Sequence, residues 1–159
     1  MNSISITARL TNADLVRRYL PSELRKRLAS IKMAVRNYTF MDLLAEIKGV
    51  KLQGEALQYR SGNLSRHIRA NTTFTETEYI GRAFVAGYPG QVPYARIHEY
   101  GGIIRARNAP YLTFRTEDGR WHRVKQVTMP ERSYMRSSLR DTKEKFYSRV
   151  RNAVQGVQE

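Results

Sequence analysis

The sequence predicts an α+β fold: a long N-terminal helix and a C-terminal helix packed on a small, mostly antiparallel β-sheet, with a short inserted helix. Three observations predict it. Apolar residues recur every three or four positions over residues 22–48 and again over 130–154, the period of an amphipathic helix. Between those segments, residues 68–127 are rich in β-branched and aromatic side chains broken by turn residues, which is the pattern of strands. Pro93 to Tyr100, closed by Gly101-Gly102, reads as one short helix set among the strands.

Taken in order, residues 3–10 alternate Ile4, Ile6, Ala8 and Leu10 with Ser5, Thr7 and Arg9, the period of a short half-buried strand. Thr11 or Asn12 can cap a brief helix over Ala13 to Leu20, which Pro21 interrupts. A long helix is expected from Ser22 to Lys48. Its stripe is Leu24, Leu28, Ile31, Val35, Tyr38, Leu43, Leu44 and Ile47, while Arg25, Lys26, Lys32 and Arg36 face outward and Gly49 stops it. Residues 50–63 are loop-like, and Gly62 to Ile68 forms a helical turn leading into a strand. Two antiparallel strands then bend near Glu76-Thr77-Glu78. Tyr79, Ile80, Ala83, Phe84, Val85 and Tyr88 are expected on their buried face, and Pro89-Gly90 ends the hairpin.

A second strand region covers Ile103 to Ala106, Tyr111 to Arg115 and Arg120 to Val127. Asp118-Gly119, within the Glu117-Asp118-Gly119 turn, supplies the positive φ that a tight hairpin needs. The last helix is expected to start near Pro130, with Met135, Leu139, Thr142, Phe146, Val150 and Ala153 or Val154 on one stripe. Glu131 in its first turn and Arg149 and Arg151 near its end suit the helix dipole, and Asp141 stands four residues before Lys145.

The 159 residues fit a single domain spanning 1–159 with one core. With no cysteine, a disulfide framework and thiolate metal sites are excluded. The start lacks the basic and continuously apolar pattern of a signal peptide, and no stretch approaches the roughly 20 apolar residues of a membrane span. The expectation is a protein that stays in the cytoplasm where it is made, or in something assembled there, with no membrane partner. There are 28 cations against 14 anions, and 21 of the cations are Arg. That excess favours nucleic acid, an anionic surface or an acidic protein as partner, and guanidinium suits interfaces in particular.

Residue types that carry chemistry do not cluster. His67, His98 and His122 fall on three separate elements. His98-Glu99 is the nearest thing to an acid/base or metal pair, yet neighbours on a helix point about 100° apart and would not chelate one ion. A partly buried His beside a solvated or salt-bridged Glu is the plainer reading. Gly87-Tyr88-Pro89-Gly90 opens no long helix and precedes no Gly-Lys pair, so it is a turn and not a phosphate loop. Ser61 and Ser65 near His67 lack an orienting third group. No catalytic, cofactor or metal residue is predicted, and no enzyme activity.

Contact chemistry is better represented. Arg105, Arg107, Arg115, Arg120, Trp121, Arg123 and Lys125 interleave with Tyr111 and Phe114. Such strands can stack bases and neutralise phosphates. Alternatively Tyr111 and Phe114 or Trp121 pack inward with the cations outward, and a subunit contact has the same pattern. Tyr94, Arg96, Glu99, Arg132 and Tyr134 crowd two segments that each begin at a proline, and Tyr and Arg are enriched at interface hot spots. The candidate assembly or DNA-facing contacts are therefore Arg105, Arg107, Arg120, Trp121, Arg123, Tyr94, Arg96, Glu99, Arg132 and Tyr134. A basic nucleic-acid-binding module using the 103–127 hairpin is the alternative to an assembly role.

Three segments in order resemble the tail-completion or neck (head-tail joining) proteins of long-tailed bacteriophages. Arg60-Ser61-Gly62-Asn63-Leu64-Ser65-Arg66-His67-Ile68 is similar to the family's Arg/Thr-Gly-x-Leu-x-x-Ser-Ile turn. Pro93-Tyr94-Ala95-Arg96-Ile97-His98-Glu99-Tyr100-Gly101 resembles its Tyr-Ala-x-x-x-Glu-aromatic-Gly helix. Pro130-Glu131-Arg132-Ser133-Tyr134-Met135-Arg136-Ser137-Ser138-Leu139 is similar to the Pro-x-Arg-Pro-Phe-hydrophobic start of its last helix. This sequence has Ser133-Tyr134 where Pro-Phe is commoner and His67 where Ser is commoner, and its 103–127 hairpin is long. The resemblance implies a non-enzymatic virion protein of the neck, a homo-oligomer forming a ring, often of six copies. Its implied partners are the head-closure or connector protein and the tail tube protein, with double-stranded DNA passing through the lumen. A ring uses head-to-tail contacts, so each subunit presents two different complementary surfaces.

Overall fold

The computed structural model describes residues 5–11, 22–58, 60–75, 78–116 and 118–156. The expected helix over 13–20 with its Pro21 interruption, the strand bend at 76–77 and Glu117 lie outside the described residues. The architecture is α+β, as predicted.

The central sheet has three antiparallel strands, β1 (Ser5–Thr11), β2 (Ile68–Phe74) and β3 (Glu78–Val85), in the order β1-β3-β2. Ile6 lies opposite Ala83 on one side of β3, and Ala70 lies opposite it on the other. Strand residues alternate between faces, so the expected buried set divides. Tyr79, Gly81, Ala83 and Val85 point into the core, whereas Ile80 and Phe84, on the other face, and Tyr88 beyond the strand are half-buried.

The N-terminal helical run starts as α1 (Ser22–Asn37) and does not stop at Gly49. It widens into π-helical turns over Tyr38–Leu43 and Glu46–Val50, tightens over Lys51–Gln53, and ends at Gly54 with φ +128°. The apolar stripe explains the widening. Val35, Tyr38, Leu43 and Ile47 are all fully buried, yet Tyr38 and Leu43 are five residues apart and would sit roughly 140° apart on an ideal α-helix. Turns with Leu44 N–H on the Thr39 carbonyl and Lys51 N–H on the Glu46 carbonyl return both to the core face. Close approach to the sheet requires Gly81: a Cβ there would overlap Thr39 Oγ1 and lie 3.1 Å from its Cβ.

Two short helices follow, α2 (Asn63–His67) and α3 (Ala95–Tyr100), the second ended by Gly101 at φ +65°. The predicted C-terminal helix is two helices, α4 (Met135–Asp141) and α5 (Lys143–Gln155), broken at Thr142. Pro130 to Ser133 precede it without helical structure. Thr142 is buried where the hydroxyl of Tyr38 meets its Oγ1 at 2.9 Å, and the Tyr38 ring packs 4.9 Å from that of Phe146. Burial is the main cause that raises the Tyr38 pKa above the ordinary tyrosine value.

Two ionic contacts tie the N-terminal run to the last helices. Arg149 forks onto Asp42 through Nε and Nη2. Lys51, buried, reaches Asp141 at 2.7 Å, Glu46 at 3.7 Å and Glu55. Its hydrogen bonds to Asp141 and Glu55 raise its pKa, and the same bond from Lys51 holds Asp141 below the usual carboxylate value. Tyr38, Leu43, Ile47, Ile68, Ala83, Val85, Val92, Ala95, Tyr134 and Met135 share one core between the helices and one face of the sheet.

The chain between α3 and α4 does not join that sheet. It forms β4 (Gly102–Arg105) paired with β7 (Gln126–Met129), and β5 (Leu112–Arg115) paired with β6 (Trp121–Val124), each antiparallel. The expected strand over 120–127 is thus two strands, parted at Lys125. The 119 turn has the predicted left-handed glycine, at φ +83°.

Candidate assembly interface

Glu99 joins the two proline-led segments. Its side chain is 1 % exposed, and five donors converge on it. Oε2 accepts the backbone N–H groups of Tyr134 at 2.9 Å and Met135 at 2.8 Å. Oε1 accepts the Arg136 N–H at 3.0 Å, Arg136 Nε at 3.1 Å and the Ser133 hydroxyl at 3.1 Å. A helix leaves its first N–H groups without intrahelical partners, and a carboxylate there also meets the positive end of the dipole. Glu99 therefore caps α4 from 36 positions away, counted to Met135.

Neighbouring contacts complete the joint. Arg136 Nη2 donates to the Glu99 carbonyl at 2.8 Å and to Glu131 Oε1 at 2.9 Å, and its guanidinium lies 4.5 Å from the Tyr100 ring centre. The buried Tyr134 hydroxyl donates to the Ala95 carbonyl at 3.3 Å. Burial raises its pKa, and Glu99 adds to the shift. Arg132 N–H donates to the His98 carbonyl at 2.8 Å. Gly101 has no room for a Cβ, which would lie 2.8 Å from the Glu131 nitrogen.

From this joint the residues 102–129 extend as an arm. None of its described residues is buried. Ile103 and Ile104 are consecutive in β4 and so point to opposite faces, yet they are 49 % and 39 % exposed. Tyr111, Phe114 and Trp121 are exposed as well, Trp121 at 71 %. Local contacts order the hairpin: Arg123 lies 4.3 Å from the Tyr111 ring centre, and the Phe114 and His122 rings stack at 5.6 Å. Arg105, Arg107, Arg115, Arg120, Arg123 and Lys125 outnumber Glu117 and Asp118 on it.

No family model, curated protein or solved structure matches this chain. The geometry itself sorts the ten predicted contacts. Arg105, Arg107, Arg120, Trp121 and Arg123 are exposed together on the arm. Arg96 and Arg132 are exposed on the body, and Tyr94 is half-buried with its hydroxyl 3.1 Å from Asn63 Nδ2. Glu99 and Tyr134 are corrected: both are buried within the chain and hold the fold, so neither is a surface contact. The plainer reading of the pair, a partly buried His98 beside a solvated or salt-bridged Glu99, holds in its salt-bridged form, through Arg136. The inward packing considered for Tyr111 and Phe114 or Trp121 does not occur, because all three are exposed.

Tyr111, Phe114 and Arg115, named with these strands though not among the ten contacts, are exposed with them. Sequence reasoning missed Ile103 and Ile104, whose signal is their adjacency, because no one-sided ribbon can bury both. Among the described residues no group of three or more His, Asp or Glu is placed to hold a metal ion, and no helix is long and apolar enough to cross a membrane.

Proposed function

We propose that this chain is a structural assembly protein of the bacteriophage neck or tail-completion type. It forms a ring that joins the head connector to the tail tube and lets double-stranded DNA pass. The arm carries this reading: an isolated two-stranded ribbon is marginal in water, and this one exposes apolar side chains on both faces. A neighbouring subunit or ring covers those faces in the assembled state. Head-to-tail closure needs two unlike surfaces, and the arm supplies one while the basic body supplies the other. Two of the three segments that resemble the neck family, 93–101 and 130–139, are the ones joined through Glu99 at the arm's root, which supports the family reading further.

The test is light scattering coupled to size exclusion, followed by electron microscopy, with and without connector and tail tube proteins. Closed particles at multiples of 18.5 kDa are expected. Ile104→Lys combined with Trp121→Ala should return them to protomers with an unchanged circular dichroism spectrum. A strict monomer at every concentration, alone and beside those proteins, sinks the proposal. Trp121 exposed between Arg120 and Arg123 favours one other reading, a nucleic-acid-binding arm. That reading predicts salt-dependent duplex binding by the monomer, lost on Arg105→Ala with Arg107→Ala.

A further inference from the structure

The N-terminal helical run buries one side and exposes the other. Val35, Tyr38, Leu43 and Ile47 face the core, whereas Met33, Phe40 and Met41 point away from it and are exposed, Met41 at 67 %. The π-helical turn over Tyr38–Leu43 carries Phe40 and Met41 outward together. Charge separates this patch from the other exposed apolar side chains of the body. Tyr147 has Lys143 5.5 Å from its ring centre, and Tyr100 has Arg136 at 4.5 Å. Val50 stands between Lys48 and Lys51 in sequence, and Val154 follows Arg151 by three positions on α5. From Asn37 to Ile47, by contrast, a chain of net charge +14 has no cation, and it has the carboxylates of Asp42 and Glu46. Asp42 holds Arg149, and Glu46 lies 3.7 Å from Lys51 Nζ, beyond hydrogen-bonding distance. Lys32 is turned aside onto the Phe74 ring at 4.7 Å, so Arg36 is the cation at the border of the patch.

We propose that this helix face is the seat on which the arm of a second copy of the chain docks. As the body half of the head-to-tail contact, the seat rests on the ring reading above. The arm brings exposed Ile103, Ile104 and Trp121 amid six cations. Its counterpart must therefore be apolar and must not add positive charge. Among the described residues, the face of Met33, Phe40 and Met41 meets both conditions. Methionine adapts its unbranched side chain to whatever is laid on it, which suits a surface that receives a ribbon. Guanidinium groups at the rim of the arm face the Asp42 and Glu46 row, which fixes its orientation.

Complementation between variants tests the seat, since head-to-tail copies use two unlike surfaces. Met33→Lys with Met41→Lys removes the seat and leaves the arm. Ile104→Lys with Trp121→Ala removes the arm and leaves the seat. All four side chains are exposed, so the circular dichroism spectrum and urea midpoint should stay at the parent values. Each double variant alone should need at least about tenfold more protein than the parent to assemble, a difference of about 1.4 kcal/mol per contact. Mixed in equal amounts, the two should form one-to-one pairs at twice 18.5 kDa and nothing larger, because one sound contact leaves a dead surface at each end. Met41→Glu should weaken assembly less than Met41→Lys, since the incoming arm is basic. Closed particles formed as readily by the seat variant as by the parent overturn the seat and leave the ring reading standing. A mixture that stays monomeric where the parent assembles does the same, as does a greater loss with Met41→Glu than with Met41→Lys. A parent chain that never assembles removes the ring reading, and the seat with it.

Discussion

At the scale of single residues, Glu99 matters most. Replacing it with Ala strips the acceptor from three N–H groups at the start of α4 and from Ser133 and Arg136. Each buried donor left without an acceptor costs about 1–3 kcal/mol, so Glu99→Ala should lose at least about 3 kcal/mol. Glu99→Gln keeps the size and one acceptor oxygen and should lose less. Urea midpoints of the two variants against the parent protein check the order. His98 gives a pH effect of known sign. Burial, and then the charge of Arg132, hold its folded pKa below the ordinary 6.5. The folded state therefore binds fewer protons than the unfolded one just below pH 6.5. Its contribution is complete above that value and is lost as pH falls through the folded pKa. The urea midpoint should drop between pH 7.5 and 5.5, and drop less in His98→Gln. Neither role was legible in the sequence: a cap supplied from 36 positions away leaves no local spacing, and adjacency of His98 to Glu99 says nothing of what either one faces.

At the scale of elements, periodicity made both helices and the β2–β3 hairpin legible, and Asp118-Gly119 placed the second hairpin. The π turns were not legible, although the five-residue step from Tyr38 to Leu43 is their trace: a helix that must bury both residues widens to do it. The break at Thr142 was also missed, because its hydroxyl satisfies Tyr38 across the core and looks from sequence like one more member of the stripe. For the arm, alternation predicts which side chains share a face but not whether anything packs against that face. The arm lacks a core, so its ribbon should open far more readily than β3. Amides of residues 103–105 and 126–128 should exchange at least about tenfold faster than those of 80–84 in the protomer. In the proposed ring they should become protected, and mass-spectrometric hydrogen exchange on both states reads this directly. Equal exchange in the two states would remove the arm from the interface.

For the whole molecule, the charge of +14 sets the terms of association. Copies brought together repel one another, the more so at low ionic strength, where the screening length approaches 30 Å at 0.01 M salt. The proposed assembly through the apolar faces of the arm should therefore strengthen between about 0.05 and 0.5 M salt, as static light scattering can measure. A fall over that range would instead place ion pairs between subunits at the centre of the contact. The distribution agrees with a folded body that carries its charge on every surface, with no appended basic tail in the described residues.

The root of the arm has a further consequence, for evolution. Gly102 and Met129 face each other across the first rung of the ribbon, and both flanks are held by the Glu99 joint rather than by anything farther out. A hairpin of different length or sequence can replace the one here without altering the geometry at those two points. The body then works as a fixed mount carrying an exchangeable hairpin. A variant that keeps Glu99, Gly101 and the start of α4 but carries a different 103–128 hairpin should therefore fold with the same body.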